Sequence, residues 1–162
     1  MITHIGTCIT AKGIRSKVAY QHKFATTYLY GSYSPLDGDS FVWEISGVST
    51  AIFEAYLKAF SNHRPAENKI LVIDNAGFHS TKNIVIPNNI HLIRIPPYSP
   101  ELNPCEQIWA WIKSKYKNHV FENMDLLKNW LHSQVNNMSE DTIKSIVSNH
   151  HYVDNFNAVF SY

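Results

Sequence analysis

The stretch "HLIRIPPYSPELNPCEQIWAW", residues 91–111, combines a predicted strand, a stiff connector and the start of a helix. "HLIRIP" is short and branched, and it ends at two prolines, which cannot donate to a sheet ladder. Four of the chain's seven prolines fall within residues 96–104, and each one fixes φ and removes an N–H donor. Asn103 followed by Pro104 then predicts a helix start. Its apolar face carries Cys105, Ile108, Ile112 and Tyr116.

Glu106 lies in the first turn of this predicted helix, and the residues around it allow two explanations. Asn103-x-x-Glu106 is a capping-box pattern, in which the Asn side chain accepts a first-turn N–H and the Glu bonds back to the cap N–H. A rigid proline connector is also suited to a carboxylate that must be aimed at a fixed point, as a metal ligand is. Both explanations stay open at this level.

A second strand, "KILVID" at residues 69–74, is apolar up to its last residue, which predicts a strand buried on both faces in a sheet covered by helices. Ligands of open α/β sheets gather beyond the carboxyl ends of strands, which makes Asp74 a candidate for holding a metal or substrate. "DNAGFHS" is equally ordinary turn chemistry. His79 is a candidate ligand, a partner of Asp74 or a phosphate contact, or a structural histidine.

The remaining segments predict a single mixed α/β domain over residues 1–162. "TTYLYGSY" and "FVWEI" flank a turn with Pro35 and Gly38 and predict a hairpin. "VSTAIFEAYLKAFSNHR" predicts a helix that ends before Pro65, and "MDLLKNWLHSQVNNM" and "EDTIKSIVSNH" predict two more. The four tryptophans are expected to pack in the core and not to stack on bases: Trp43, Trp109, Trp111 and Trp130.

Composition places the chain among globular proteins, with 162 residues, 44% hydrophobic residues and 13% aromatic residues. No apolar run approaches the ~20 residues of a membrane helix, and the N-terminus lacks a signal-peptide pattern. We therefore expect a cytoplasmic protein without a membrane partner. Cys8 and Cys105 have no metal-ligand spacing and are expected to be reduced thiols. No GxGxxG, GxxxxGK[ST], GxSxG or HExxH occurs, which argues against the functions of those motifs.

Basic residues are concentrated near the N-terminus, although the net charge is only +1. Residues 1–36 contain no Asp or Glu, and they hold Lys12, Arg15, Lys17 and Lys23. Such a local field attracts phosphates. An ordinary solvated surface is the alternative.

Two of these motifs together resemble the catalytic domain of DDE-superfamily transposases, in the mariner-like and related bacterial insertion-sequence branch. "ILVIDNAGFH" is similar to one half of its signature, a strand followed by Asp-Asn-x-x-x-His. "PPYSPELNPCEQIWAWIK" resembles the other half almost position by position, including Glu106 and Trp109. A weaker likeness extends over "TYLYGSYSPLDGDSF" and back to "GTCITAKGIR".

The resemblance implies a ribonuclease H-like fold, a mixed sheet flanked by helices, in which three acidic residues hold two Mg²⁺ or Mn²⁺ ions. Such ions lie roughly 3.5–4 Å apart and serve DNA cleavage and strand transfer. Asp74 corresponds to the family's second aspartate and Glu106 to its terminal glutamate. The implied partners are transposon ends and target DNA. Implied neighbours of the site or DNA contacts are Asn75, His79 and Asn103, and implied DNA-binding residues are Lys12, Arg15, Lys17 and Lys23.

The chain departs from the family at the first aspartate, since no acid precedes Asp37. We therefore expect an N-terminally truncated catalytic domain that lacks the family's usual first strand, with little or no strand-transfer activity alone. That strand is the centre of a ribonuclease H-like sheet, and its absence would leave unpaired backbone on both neighbours. "MITHIGTCI" or a partner chain is expected to fill part of the gap, with a homodimer as one possibility.

Two other functions stay open. One is a non-catalytic DNA-binding or interaction module that keeps the fold. The other is a different ribonuclease H-like nuclease, which uses Asp74, Glu106 and a third acid such as Asp154.

Overall fold

The computed structural model describes Lys12, residues 26–99, 102–117 and 119–148, and Asp154. Its strands are β1 (Tyr28–Tyr33), β2 (Ser40–Ile45), β3 (Lys69–Ile73) and β4 (Ile90–Arg94). Its helices are α1 (Thr50–Asn62), α2 (Pro104–Tyr116), α3 (Met124–Asn136) and α4 (Glu140–Val147), with one 3₁₀ turn at Gly77–His79. The predicted order of hairpin, helix, two strands and three helices is confirmed. None of the helices in these residues is long and apolar enough to cross a membrane.

Each of the four helices begins behind a polar cap, which explains why the sequence located their starts. The Asn103 side chain accepts the N–H of Cys105 at the start of α2, and Asn123 accepts that of Leu126 at the start of α3. Ser49 and Ser139 cap α1 and α4 in the same way. These bonds satisfy N–H groups that have no partner within a helix.

The four strands form two separate two-stranded sheets within the described residues. β1 and β2 are antiparallel, with Tyr28 opposite Ile45 and Tyr33 opposite Ser40. β3 and β4 are parallel, with Lys69 opposite Ile90.

The prediction that β3 is buried on both faces is wrong for the part of the chain that is described. Phe53 and Leu57 of α1 pack with Ile73 and Ile90, and so cover one face of the β3–β4 pair. Ile70 on β3 is 48% exposed, and Ile93 on β4 is 51% exposed. α1 covers only one face of the β3–β4 pair. The apolar side chains of β3 on the other face are therefore partly exposed.

A second core lies between the hairpin and the three C-terminal helices. Ile108 and Ile112 of α2 meet Leu131 of α3 and Val147 of α4, together with Tyr33 of the hairpin. The partly buried tryptophans packed against this cluster are Trp109, Trp111 and Trp130. Trp43 contacts the Tyr56 ring edge-on. The expected packing role of the tryptophans is therefore confirmed.

Candidate functional site

Asp74 directly follows β3, and its carboxylate is oriented by the turn that it begins. Oδ1 accepts the N–H of Ala76 at 3.0 Å and lies 2.7 Å from Nδ1 of His79. No described residue forms a hydrogen bond with Oδ2. One oxygen of Asp74 is thus engaged in holding the turn, which leaves the other available to a ligand.

Side chains from β4 and the turn fix the backbone around Asp74. Arg94 donates to the carbonyl of Asp74 at 3.3 Å and to that of His79 at 2.5 Å. Asn75 donates from Nδ2 to the carbonyl of Ile95 at 2.8 Å, which ties the end of β3 to the end of β4. Asn75 therefore joins the ends of the two strands beside Asp74.

His79 is largely enclosed by aromatic rings. Its ring centroid lies 4.8 Å from that of Phe53 and 4.4 Å from that of Phe78. Its side chain is only 14% exposed. Of the alternatives considered from the sequence, this geometry matches a partner of Asp74.

Glu106 lies in the first turn of α2 and is exposed. The Asn103 half of the capping box is formed, since its Oδ1 accepts the N–H of Cys105 at 3.1 Å. The reciprocal bond from the Asn103 N–H to Glu106 does not occur among the hydrogen bonds of the described residues. The Glu106 carboxylate is therefore not used by the cap and lies free at the helix N-terminus.

Asp74 and Glu106 line the same cavity, which has a volume of about 1300 Å³ and lies between the hairpin and the β3–β4 pair. Cys105 lies beside both carboxylates: burial raises the pKa of its thiol to about 12, and the charges of Glu106 and Asp74 add to the increase. The thiol donates to the carbonyl of Gly31 at 3.3 Å. Residues 74 and 106 thus line one cavity despite their separation in sequence.

Carboxylate oxygens are the ligands that Mg²⁺ prefers, so Asp74 and Glu106 fit a divalent cation in kind. Two carboxylates are fewer ligands than a metal site needs. No group of three or more His, Cys, Asp or Glu side chains in the described residues could hold a metal ion. Asp154 is exposed and joins no such group. The alternative third ligand named from the sequence is therefore not brought to this site.

Of the predicted DNA-binding residues, Lys12 is exposed. Arg15, Lys17 and Lys23 lie outside the described residues, and their role remains a prediction.

Two residues of interest were missed by the sequence interpretation. Tyr98 is fully exposed and has a φ of 62°, a conformation that is costly for a bulky side chain. The two prolines before it predict a turn, but they do not specify the sign of φ. Arg94 bonds to the turn that Asp74 begins, but in the sequence it is visible only as a charged residue in an otherwise apolar strand.

The chain is similar to known proteins both in sequence and in fold. A family model described as DDE superfamily endonuclease matches residues 4–128. Uncharacterized protein y4pE/y4sA of Sinorhizobium fredii (strain NBRC 101917 / NGR234) is 29% identical over 100 residues, which are 60% of this chain and 74% of that protein.

Two solved structures are similar in fold. The Mos1 transposase paired-end complex with left transposon end has a TM-score of 0.67 at 16% identity, and the Mos1 Strand Transfer Complex has 0.67 at 15%. Each likeness covers 89% of this chain and 46% of the Mos1 chain, so the chain spans less than half the length of those relatives.

Proposed function

We propose that this chain carries two carboxylates of a divalent-metal site that acts on DNA. The reason is that the chain belongs to the DDE superfamily endonuclease family. Its fold is ribonuclease H-like, as in the Mos1 chains that it matches, and its function is transposase-like. The convergence of Asp74 and Glu106 on one cavity supports the proposal most directly.

The proposed metal ligands are Oδ2 of Asp74 and the carboxylate of Glu106, for Mg²⁺ or Mn²⁺. When bound, such an ion supplies Lewis-acid stabilisation of charge on phosphate oxygens. His79 and Arg94 hold the Asp74 turn, so that its free oxygen keeps one direction. Asn103 starts α2 beside the cavity and thereby sets the position of Glu106.

The proposed substrate is DNA. The solved relatives are a paired-end complex with a left transposon end and a strand transfer complex, and DNA carries the phosphates that divalent ions neutralise. The basic residues of the N-terminal 25 positions, Lys12 among them, are proposed to contact the DNA backbone. We propose that the metal ligands and the DNA-contacting residues belong to one catalytic domain.

The chain alone is proposed to cleave DNA weakly or not at all. Among the described residues, two carboxylates converge where a two-ion site calls for a larger ligand set. Two ligands leave an ion mostly hydrated and loosely placed, which lowers both affinity and geometric control.

A paired measurement tests the proposal: Mn²⁺ binding by titration calorimetry, and nicking of supercoiled DNA with Mg²⁺ or Mn²⁺. We expect Mn²⁺ to bind with Kd on the order of 1 mM, and Asp74→Asn and Glu106→Gln each to weaken binding at least tenfold. Glu122→Gln removes an exposed carboxylate that does not line the cavity and serves as the control. Nicking is expected to be absent or very slow in every form.

Mn²⁺ binding that is unaffected by both substitutions would refute the assignment of the ligands. Fast cleavage that disappears in Asp74→Asn and in Glu106→Gln would show instead that the chain holds a complete site.

A non-catalytic DNA-binding module is the second candidate, and the two-carboxylate site favours it over a complete nuclease. It predicts DNA binding that weakens steeply with salt. It also predicts that neither Mg²⁺ nor Asp74→Asn changes the affinity. A Mg²⁺-dependent affinity that Asp74→Asn abolishes would favour the metal site.

A further inference from the structure

Tyr98 has an unusual backbone conformation on the proline connector between β4 and α2. Pro97 and Tyr98 are the two central residues of a turn, and Tyr98 has a φ of 62°. A positive φ at the second central position is typical of a type II turn, where that position is usually Gly or Asn. The chain therefore places a bulky ring at a position whose conformation disfavours one.

The cost of this conformation is not offset by contacts of the Tyr98 side chain. The side chain is fully exposed, and Tyr98 forms no hydrogen bond or ring contact within the part of the chain that is described. Gly would adopt the same turn at a lower cost. Residues in costly conformations are concentrated at functional sites, so an exposed ring held in this way indicates a ligand from outside the chain.

Arg64 shows what a compensated positive φ looks like. It is the other non-glycine residue of the described chain with a positive φ, of 52°. It lies just beyond α1, where a left-handed residue commonly ends a helix, and its guanidinium pairs with Asp37 at 2.6 Å. Tyr98 has neither a helix to end nor a partner, which sets it apart.

The connector that carries Tyr98 leaves and rejoins the wall of the cavity that holds Asp74 and Glu106. Pro96 lines this cavity before the turn, and Asn103 lines it after the turn. Tyr98 does not line the cavity itself, but it follows Pro96 by two residues, which is at most about 7 Å along the chain. The exposed ring therefore lies near the rim of the cavity, on the side where α2 begins.

A single exposed ring is better suited to a nucleobase than to a protein surface. An unpaired base stacks on one aromatic face, and every base offers such a face. A stable protein interface buries roughly 800 Å² on each partner, whereas one aromatic side chain supplies about 150–250 Å². A base is the ligand that one ring can hold.

We propose that Tyr98 stacks on an unpaired base of the DNA strand whose phosphate lies at Asp74 and Glu106, a role that rests on the proposed function. The stacked base belongs to a nucleotide close to that phosphate, because the ring lies near the rim of the same cavity. The prolines beside Tyr98 keep the connector stiff, so that little backbone freedom is lost when the base stacks.

Photo-cross-linking of the full chain to DNA tests which residue contacts the base. The probe is a single-stranded oligonucleotide with 5-iodouracil in place of thymine, and the cross-linked peptide is identified by mass spectrometry. We expect the cross-link at Tyr98. In fluorescence anisotropy with a labelled copy of the oligonucleotide, we expect Tyr98→Ala to bind about 5- to 100-fold more weakly, and Tyr98→Phe to bind as the parent does. Val85→Ala removes an exposed apolar side chain that does not line the cavity and is the matched control.

Thermal unfolding tests the cost of the turn in the same variants. Tyr98→Gly is expected to melt a few degrees higher than the parent, because Gly adopts a positive φ without strain, and to bind DNA as weakly as Tyr98→Ala. A lower melting temperature of Tyr98→Gly would show that the ring stabilises the fold, and it would overturn the proposal.

The outcomes separate this contact from the proposed function. If DNA binds equally to the parent and to Tyr98→Ala, and the cross-link maps elsewhere, the stacking contact is wrong while the DNA substrate stands. If no form binds DNA, the proposed function fails and the contact fails with it. Self-association that Tyr98→Ala abolishes in size-exclusion chromatography, with unchanged DNA binding, would assign the ring to a protein contact and also overturn the proposal.

Discussion

At the scale of single residues, the atoms that the candidate site can offer to a ligand are those that do not already form hydrogen bonds. Asp74 uses one oxygen for His79 and the Ala76 N–H, whereas Glu106 uses neither oxygen for its helix cap. The pKa of the Cys105 thiol is raised by burial and, to a smaller extent, by the charges of Glu106 and Asp74. The thiol is therefore a hydrogen-bond donor to the hairpin and not a nucleophile.

Cys105 is expected to react slowly with thiol reagents while the chain is folded. An unfolded thiol has a pKa of about 8.5, so with a pKa of about 12 the folded thiolate population at pH 8 is about a thousandfold smaller. The measurement is the rate of reaction with a disulfide reagent in a Cys8→Ser background. The same protein in urea is the control, and folded and unfolded rates within tenfold of each other would contradict the assignment.

At the scale of elements, the hairpin is fixed between helices from both halves of the chain. Its turn is closed by the Gly38 N–H bonding to the Ser34 carbonyl. Gly38 has a φ of +82° and lies against the backbone of Glu140 at the start of α4. The turn and α4 approach so closely because this position has no side chain.

Gly38→Ala is expected to destabilise the fold by about 2–4 kcal/mol, because its Cβ requires a strained φ and displacement of α4. A Cβ there would lie 2.2 Å from the Glu140 carbonyl oxygen. For a chain of this size the melting temperature should fall by roughly 5–12 °C, measured by circular dichroism. Gly47→Ala is the matched control, since its Cβ meets nothing within 4 Å. Equal melting temperatures of the two variants would refute the role of Gly38.

At the scale of the whole molecule, ion pairs hold the hairpin to helices on two sides. Arg64, just beyond α1, pairs with Asp37 at 2.6 Å. Glu44 pairs with Lys128 at 2.6 Å and with His132 at 2.8 Å, both on α3. The hairpin thus connects the core under α1 with the core among the C-terminal helices.

These ion pairs predict a loss of stability in acid. Burial raises the pKa of Asp37, but hydrogen bonds from Ser34, the Asp39 N–H and Arg64 outweigh it and lower the pKa from 3.8 to about 2. The hydrogen bond from Lys128 lowers the pKa of Glu44 below its usual 4.5. Because both folded pKa values lie below the unfolded ones, the stabilisation is complete above about pH 5 and is lost as the pH falls towards 2.

The test compares melting temperatures at pH 7 and pH 3 for the parent chain and for the Asp37→Asn, Glu44→Gln double variant. Exposed pairs contribute roughly 0.2–1 kcal/mol each, so the variant should melt a few degrees lower at pH 7 and lose less on acidification. Glu122→Gln, which removes a carboxylate outside these pairs, should follow the parent. An identical acid response in the double variant would assign the pH dependence to other groups.

The sequence by itself determined the order and type of the elements and the four helix starts. These features depend on local signals: polar caps, prolines, turn residues and the spacing of apolar side chains. Only the tertiary structure decided that, among the described residues, the strands form two pairs with unpaired outer edges, one face of β3 lies uncovered, and Glu106 does not close its capping box. The reason is that strand pairing and burial depend on contacts between segments far apart in sequence, which local patterns do not specify.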